Sequence, residues 1–209
     1  MAIAFHNHRV LDRARADHAL YLREKDGLSQ CMDDCLTVDP GTMVEQLLEQ
    51  RRSLLERCRE EMNETEKVTL QMALETQLTQ AGKTFLKFYR ECYEYHTINQ
   101  GVLDRARADH AEFLKEKDDL SQRPVDCLKV DPSAMAEVFA EQRRSLLRRC
   151  RDKMMFPAPM KPALLTALER ELTWEAETFL KTYRERYQRH ISEQSWAARL
   201  LGFIRRLWL

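Results

Sequence analysis

Two pairs of histidines are the residues of this chain best suited to proton transfer or metal binding. They are His18 with His110, each within an ADHA segment, and His96 with His190. Histidine titrates near neutral pH and serves as a general base and a metal ligand. However, His18 and His110 lie on the apolar side of a predicted helix, where a core histidine bonded to a neighbour is the commoner arrangement. Because no Ser or Cys stands in a nucleophile motif, we predict no catalytic residue and no enzyme.

The cysteines offer a second possible chemistry, metal binding. Cys31 and Cys35 are one helical turn apart, and His6 and His8 precede them in the sequence. This spacing differs from that of zinc sites, and Arg123 replaces Cys31 in the repeated copy described below. The five glycines provide no P-loop and no GxGxxG pattern. We therefore predict no metal site and no cofactor.

Arginine clusters in the second helix of each copy could meet phosphates or acidic lipid headgroups. They are Arg51, Arg52, Arg143, Arg144, Arg148, Arg149 and Arg151. Glu141 and Asp152 flank the larger cluster, and no aromatic residue is interleaved with it. A solvated helix face is the favoured interpretation, and we expect no nucleic-acid partner.

All of these residues lie within a repeat of about 92 residues. Residues 10–62 match residues 102–154 with 36 identities in 53 positions. After a two-residue insertion the match continues, with 84–96 similar to 178–190. A repeat of this kind indicates tandem modules of similar structure.

Residues at alternating steps of three and four, most of them apolar, predict the first helix of each module, over about 9–31 in the first copy. They are Leu11, Ala14, His18, Tyr21, Lys25 and Leu28, with Leu103, Ala106, His110, Phe113, Lys117 and Leu120 in the second copy. A polar loop is expected to follow. Asp39-Pro40 and Asp131-Pro132 then predict the start of the second helix, because Asp caps free amides and Pro is tolerated in the first turn.

The third helix is predicted over about 66–98 and 161–194, and it is expected to run nearly straight into the next first helix. Its first copy places apolar residues at Leu74, Leu78, Ala81, Phe85, Phe88, Cys92 and Tyr95. Three prolines between 155 and 162 should prevent helix before about Lys161. The sequence thus predicts an all-α protein of two tandem three-helix bundle repeats, 1–100 and 101–195, with a C-terminal amphipathic helix at 196–209.

One apolar stripe of the third helix does not survive the duplication. Its members are Ala81, Phe88, Cys92 and Tyr95, which correspond to Glu175, Thr182, Arg186 and Arg189. We predict that this stripe binds a protein partner, or another unit through self-association. The alternative is that it packs inside the first unit on a slightly rotated helix.

The C-terminal segment has an apolar side and a basic side, and it contains no acidic residue. The apolar side holds Trp196, Leu200, Leu201, Phe203, Ile204, Leu207 and Trp208, and the basic side holds Arg199, Arg205 and Arg206. Such a helix is typical of an interfacial membrane segment. It could equally dock into a groove of a partner, or cap the end of the array.

Composition favours a helix-rich protein without a membrane span or secretory leader, and unpaired cysteines favour the cytoplasm. Charged residues make up 33% of the chain and hydrophobic residues 44%. Residues 1–101 carry a net charge of −4 and residues 102–209 a net charge of +4.

Two functions stay open. One is a scaffold that binds a protein through helix faces, with its last helix on an anionic membrane surface. The other is a peripheral protein whose main activity is to bind or shape membranes.

Overall fold

The protein is helical throughout the part of the chain that the structure describes. The computed structural model describes the backbone of residues 2–64, 66–155 and 161–207, and their side chains except those of 2–4, 33 and 198–207. Helices account for 91% of the described residues, and no strand occurs among them. The prediction of an all-α protein is confirmed.

Two compact units make up the chain, unit 1 at Met1–Ile98 and unit 2 at Asn99–Leu209. Unit 1 contains three helices and the first part of a fourth, namely α1 (Ala2–Ser29), α2 (Met32–Leu36), α3 (Pro40–Glu61) and α4 (Lys67–Ser121). Unit 2 contains the rest of α4, followed by α5 (Pro124–Cys127), α6 (Pro132–Lys153) and α7 (Lys161–Leu207).

Helix α4 is a single helix of 55 residues that includes both a third and a first helix of the repeat. The expected run from one into the other is therefore present without a break. The segment holds no proline, and its glycines, Gly82 and Gly101, have no positive φ angle. No residue in this segment requires the helix to end.

Both predicted helix starts at an Asp-Pro pair are observed. The Asp39 carboxylate accepts hydrogen bonds from the amides of Gly41 at 2.8 Å and Thr42 at 3.1 Å. Asp131 accepts the same pair of bonds at the start of α6. These bonds satisfy amides that have no partner within the helix.

The segment that was expected to be a polar loop contains a short helix in each unit, α2 and α5. A buried tyrosine holds each one in place. The Tyr89 hydroxyl donates to the carbonyls of Cys35 at 3.2 Å and Val38 at 2.7 Å. Tyr183 does the same in unit 2 at 2.9 and 2.6 Å, to Cys127 and Val130. The loop prediction was wrong because these long-range bonds have no local sequence signal.

The core of unit 1 follows the predicted helix faces, with one addition on α4. Its central buried side chains include Leu11, Ala14, Met43, Leu54, Cys58, Leu74, Leu78, Phe85, Tyr89 and Cys92. Both copies have a tyrosine at the position of Tyr89, which predicts a core residue there, and it is buried, whereas Phe88 is exposed. A straight helix has 3.6 residues per turn, so a strict 3-4 row such as the one through Phe88 drifts around its surface. The addition is Cys92, which joins the core.

The C-terminal segment is continuous with α7 and is not a separate helix. Helix α7 begins at Lys161, where the prolines predicted a start, and runs for 47 residues to Leu207. At about 1.5 Å per residue it is about 70 Å long.

Candidate protein-binding groove

The structure does not bring the four stripe residues into one exposed surface. Cys92 is buried in the core of unit 1, and burial raises the pKa of its thiol. Ala81 and Tyr95 are half-buried. Phe88 is exposed over 48% of its surface. For Cys92 the alternative interpretation, packing inside unit 1, is the observed one, whereas Phe88 stays available for contact.

Unit 2 places a salt bridge where unit 1 has Cys92. The Arg186 guanidinium donates to the carboxylate of Asp118 and to the hydroxyl of Ser121. The hydrogen bond from Arg186 lowers the pKa of Asp118. In unit 1 the matching positions are Asp26 and Ser29, so at this site unit 2 has an ion pair and unit 1 has a buried thiol.

Most of the predicted tail lies beyond the described side chains. Trp196 is described, and it is 66% exposed. The backbone is helical for Arg199, Leu200, Phe203, Ile204, Arg205, Arg206 and Leu207, whose side chains lie outside the described residues. Trp208 also lies outside the described residues.

The repeated histidines bond to neighbours within their own units. Nδ1 of His18 lies 2.7 Å from Oε1 of Gln50, and Nδ1 of His110 lies 2.9 Å from Oε1 of Gln142. Nε2 of His96 lies 3.0 Å from the Ser29 carbonyl, with an equivalent contact in unit 2. Within the described ranges, no three His, Cys, Asp or Glu residues are grouped to hold a metal ion.

A groove between α3 and α4 lies on the surface of unit 1 and is lined by apolar and charged residues. It has a volume of about 560 Å³, and we call it the α3–α4 groove. Its lining residues are Leu48, Arg51, Arg52, Leu55, Glu56, Arg59, Val68, Gln71, Met72 and Glu75. Leu48, Val68 and Met72 are 44%, 71% and 66% exposed. Exposed apolar side chains that line one groove are typical of a binding surface.

A smaller apolar cleft adjoins the groove and shares Leu48 and Arg51 with it. It has a volume of about 140 Å³, and we call it the Gly82 cleft. Its other lining residues are His18, Val44, Leu47, Leu78, Thr79, Gly82, Lys83 and Leu86. A Cβ atom added at Gly82 would meet no side chain or neighbouring helix within 4 Å among the described residues. The missing side chain of Gly82 therefore helps to keep the cleft open.

Unit 2 changes the lining positions of the cleft in both directions. Ala176 and Phe139 replace Gly82 and Leu47, whereas Ala136 and Ala140 replace Val44 and Leu48. The Phe139 ring is buried and lies 5.1 Å from the ring of Phe113 and 5.0 Å from that of Phe179, measured between centroids. At this level unit 2 thus has an aromatic cluster where unit 1 has Leu47.

The unit 2 counterpart of the α3–α4 groove has different side chains at three exposed positions. It has a volume of about 570 Å³ and is lined by Leu147, Arg151, Lys161, Pro162, Leu165, Thr166 and Glu169. The positions of Leu48, Val68 and Met72 are taken by Ala140, Pro162 and Thr166. The groove is thus shared by both units, but the exposed apolar side chains are concentrated in unit 1.

Basic residues line the groove of unit 1 even though this unit is acidic as a whole. Arg51, Arg52, Arg59 and Lys83 line the groove or the cleft, against the acidic residues Glu56 and Glu75. This gives a local net charge of +2 within a unit of net charge −4. Nη1 of Arg51 donates to the Thr79 hydroxyl at 2.7 Å, which fixes its side chain across the junction of groove and cleft.

The sequence signal for this site is a set of three exposed apolar residues and one glycine. The second copy does not keep the side chains of Leu48, Val68 and Met72, nor the glycine at position 82. The stripe predicted on α4 includes none of these four residues. Only the packing of α3 against α4 places these four residues along one groove.

The two units also share a pair of hydrogen bonds from an asparagine side chain to the backbone, which the repeat alone did not predict. The Asn7 side chain donates to the Asn63 carbonyl at 3.2 Å and accepts from its amide at 2.9 Å. Asn99 makes the same pair of bonds with Met155. Each Asn fixes the chain just beyond the second long helix of its unit.

Family models, curated proteins and solved structures were all compared with this chain, and none of them matches it. Function is therefore inferred from the chain's own residues.

Proposed function

We propose that this protein is a non-enzymatic helical adaptor, built as a tandem of two three-helix units, that binds a protein partner through its helix faces. The observation that carries this proposal is the set of exposed apolar side chains in the α3–α4 groove, which unit 2 replaces with smaller or polar ones. Exposed Leu, Val and Met side chains that occur at these positions in one copy alone are not required by the shared fold. It is therefore a candidate for a function that unit 1 acquired separately.

The groove can supply a useful share of a binding energy. Complete burial of a large apolar side chain contributes about 1.5–3 kcal/mol. Since Leu48, Val68 and Met72 are roughly half to two-thirds exposed, covering all three would contribute about 3–5 kcal/mol. A micromolar complex corresponds to about 8 kcal/mol, so these residues would supply a large part of it.

Affinity capture with matched variants tests this function. The full chain is compared with Leu48→Glu/Met72→Glu and with the control Ala140→Glu/Thr166→Glu, which places the same charges at the same positions of unit 2. We expect the first variant to lose specific protein partners and the control to keep them, by quantitative mass spectrometry. Equal recovery by all three chains would contradict a role for the groove.

The exposed Phe88 is tested separately. Phe88→Arg introduces a charge on the predicted stripe without altering the groove. If partner recovery falls with this variant and not with the groove variant, the adaptor function stands and its surface is the stripe.

A second candidate function is peripheral membrane binding or membrane shaping. The observation that favours it is Trp196, an exposed aromatic residue on α7 at the start of a segment with three arginines and no acidic residue. None of the helices in the described residues is long and apolar enough to cross a membrane. Flotation with liposomes of 30% anionic lipid tests the idea, using the full chain and a chain that lacks residues 196–209. We expect flotation to depend on the segment, and absence of flotation by the full chain would reject this candidate.

A further inference from the structure

We infer that the α3–α4 groove of unit 1 binds an acidic amphipathic helix of a partner protein, with one apolar side chain of that helix in the Gly82 cleft. This inference rests on the proposed adaptor function and adds the chemistry of the partner. Three features of unit 1 support it, namely the spacing of the groove residues, the volume of the cleft and the charge around both.

The spacing along the groove fits a helix. On α4, the residues that line the groove and the cleft follow steps of four and three, at Val68, Met72, Glu75, Thr79, Gly82 and Leu86. On α3 a parallel row runs from Val44 through Leu48, Arg51 and Leu55 to Arg59. Two adjacent helices with such rows accept a third helix between them, as in a four-helix bundle. From Val68 to Leu86 the groove is about 27 Å long, which corresponds to about 18 helical residues.

The cleft fits one large apolar side chain. An apolar cavity of about 150 Å³ is known to hold benzene, and the Gly82 cleft has a volume of about 140 Å³. In unit 2, Phe139 and Ala176 take the positions of Leu47 and Gly82, and the Phe139 ring packs against that of Phe113. A Phe or Leu side chain from the partner would do for unit 1 what Phe139 does for unit 2.

The charge of the groove selects an acidic helix. The charged residues that line the groove and the cleft sum to +2, and Glu49 beside them pairs with Arg52 at 2.7 Å. Because unit 1 as a whole carries a net charge of −4, the attraction of an acidic segment is local to these basic side chains. The chain's own C-terminal segment is unsuitable, because residues 196–209 carry three arginines and no acidic residue. The long helices of a second copy already bury their apolar rows inside their own units. The fitting occupant is therefore a helix of another protein.

Binding of designed peptides to the full chain tests the inference. The probe is a fluorescein-labelled 18-residue helix with Leu and one central Phe on its apolar face and Glu on its other faces. The matched probe has Lys at every Glu position. In fluorescence anisotropy at 150 mM salt we expect micromolar binding of the acidic peptide and at least tenfold weaker binding of the basic one. Equal affinities, or no binding of the acidic peptide, would overturn the inference.

Three variants locate the bound peptide. Gly82→Ala adds a methyl group that the open cleft admits, and we expect at least a fivefold loss of affinity. Arg52→Glu/Arg59→Glu reverses the charge of the groove, and we expect at least a tenfold loss for the acidic peptide together with a gain for the basic one. The control Ala140→Glu/Thr166→Glu in unit 2 should change affinity by less than twofold. An acidic peptide that binds all of these chains equally lies elsewhere, and the inference is then wrong.

The result is separable from that of affinity capture. If Leu48→Glu/Met72→Glu abolishes partner recovery but the acidic peptide does not bind, the adaptor function stands and the acidic helix is rejected. If the peptide binds as expected and no protein is recovered from extracts, the groove chemistry stands and the proposed cellular role fails. Circular dichroism of each variant establishes that its helices are retained.

Discussion

The same level of the two units carries different side chains. In unit 1, Leu47 and Gly82 border a cleft that continues into the α3–α4 groove. In unit 2, Phe139 and Ala176 stand at these positions, and the ring of Phe139 packs among aromatic neighbours. Hydrogen bonds that define the fold are kept in both units, including those of Tyr89 and Tyr183. The two copies have therefore diverged at surfaces and cavities, while the hydrogen bonds that hold their helices together are the same.

The largest predicted change in the free energy of unfolding comes from truncating the side chain at this level, and we expect a larger loss in unit 2 than in unit 1. Phe139→Ala should lower the free energy of unfolding by about 3–5 kcal/mol, because it removes a buried ring and leaves a cavity. Leu47→Ala should lower it by about 2 kcal/mol, because Leu47 already borders open space. Urea denaturation measures both. Equal losses would mean that the cleft is closed in solution.

The next effect concerns the exchange of Cys92 and Arg186. We expect Cys92→Arg to lower the free energy of unfolding by only about 1 kcal/mol, because Asp26 and Ser29 stand where Asp118 and Ser121 receive Arg186. In an Asp26→Ala background the new arginine lacks its partner, and the loss should reach about 3 kcal/mol. A double-mutant cycle measures the coupling. Additive losses would show that unit 1 cannot form this pair.

A smaller effect of opposite sign is expected at Gly82. Gly82→Ala should raise the free energy of unfolding by about 0.5–1 kcal/mol, since alanine favours the helix and the added Cβ is unobstructed. The reverse change in unit 2, Ala176→Gly, should lower it by at least the same amount. Thermal unfolding followed by circular dichroism distinguishes the two. A Gly82→Ala chain that melts earlier would contradict the open cleft.

A further effect is a pH dependence that involves the buried thiols. Burial raises the pKa of Cys35 to about 11 from an ordinary value of 9.0. Because the unfolded thiol ionises first, the stability that this residue contributes is complete below pH 9 and declines as the pH rises towards 11. The urea midpoint should therefore fall over this range, and it should fall less in Cys35→Ala. Identical pH profiles for the two chains would argue against this contribution.

Thiol labelling checks the same burial without unfolding the protein. Cys31 is exposed, whereas the other five cysteines are buried. At pH 8 we expect one thiol to react rapidly with Ellman's reagent and five to react only in denaturant. A second rapidly reacting thiol would identify a part of the core that opens in solution.

Local patterns predicted the long helices well and the candidate site poorly. The Asp39-Pro40 start of α3 and the start of α7 at Lys161 follow from single residues whose backbone chemistry is decisive. On α4 and α7 the two copies share Tyr89 and Tyr183 as predicted core positions, and both are buried. Cys92 was predicted to contact a partner and lies in the core, because the sequence does not show which of two adjacent apolar rows faces the other helices. The short helices α2 and α5 were missed because their support comes from Tyr89 and Tyr183, more than fifty residues away.

The sequence alone specifies that this protein is helical, where α3, α6 and α7 begin, and that one module is repeated, whereas α1 begins at Ala2 and not near residue 9 as predicted. These properties depend on residues that are close in the chain, so the helix period and the capping residues can be recognised in the sequence. Only the tertiary structure decided that Cys92 is a core residue, and that Leu48, Met72 and Gly82 line one groove. The physical reason is that a groove is formed by the side chains of two helices at once. Its shape therefore depends on how α3 and α4 pack, which neither helix encodes alone.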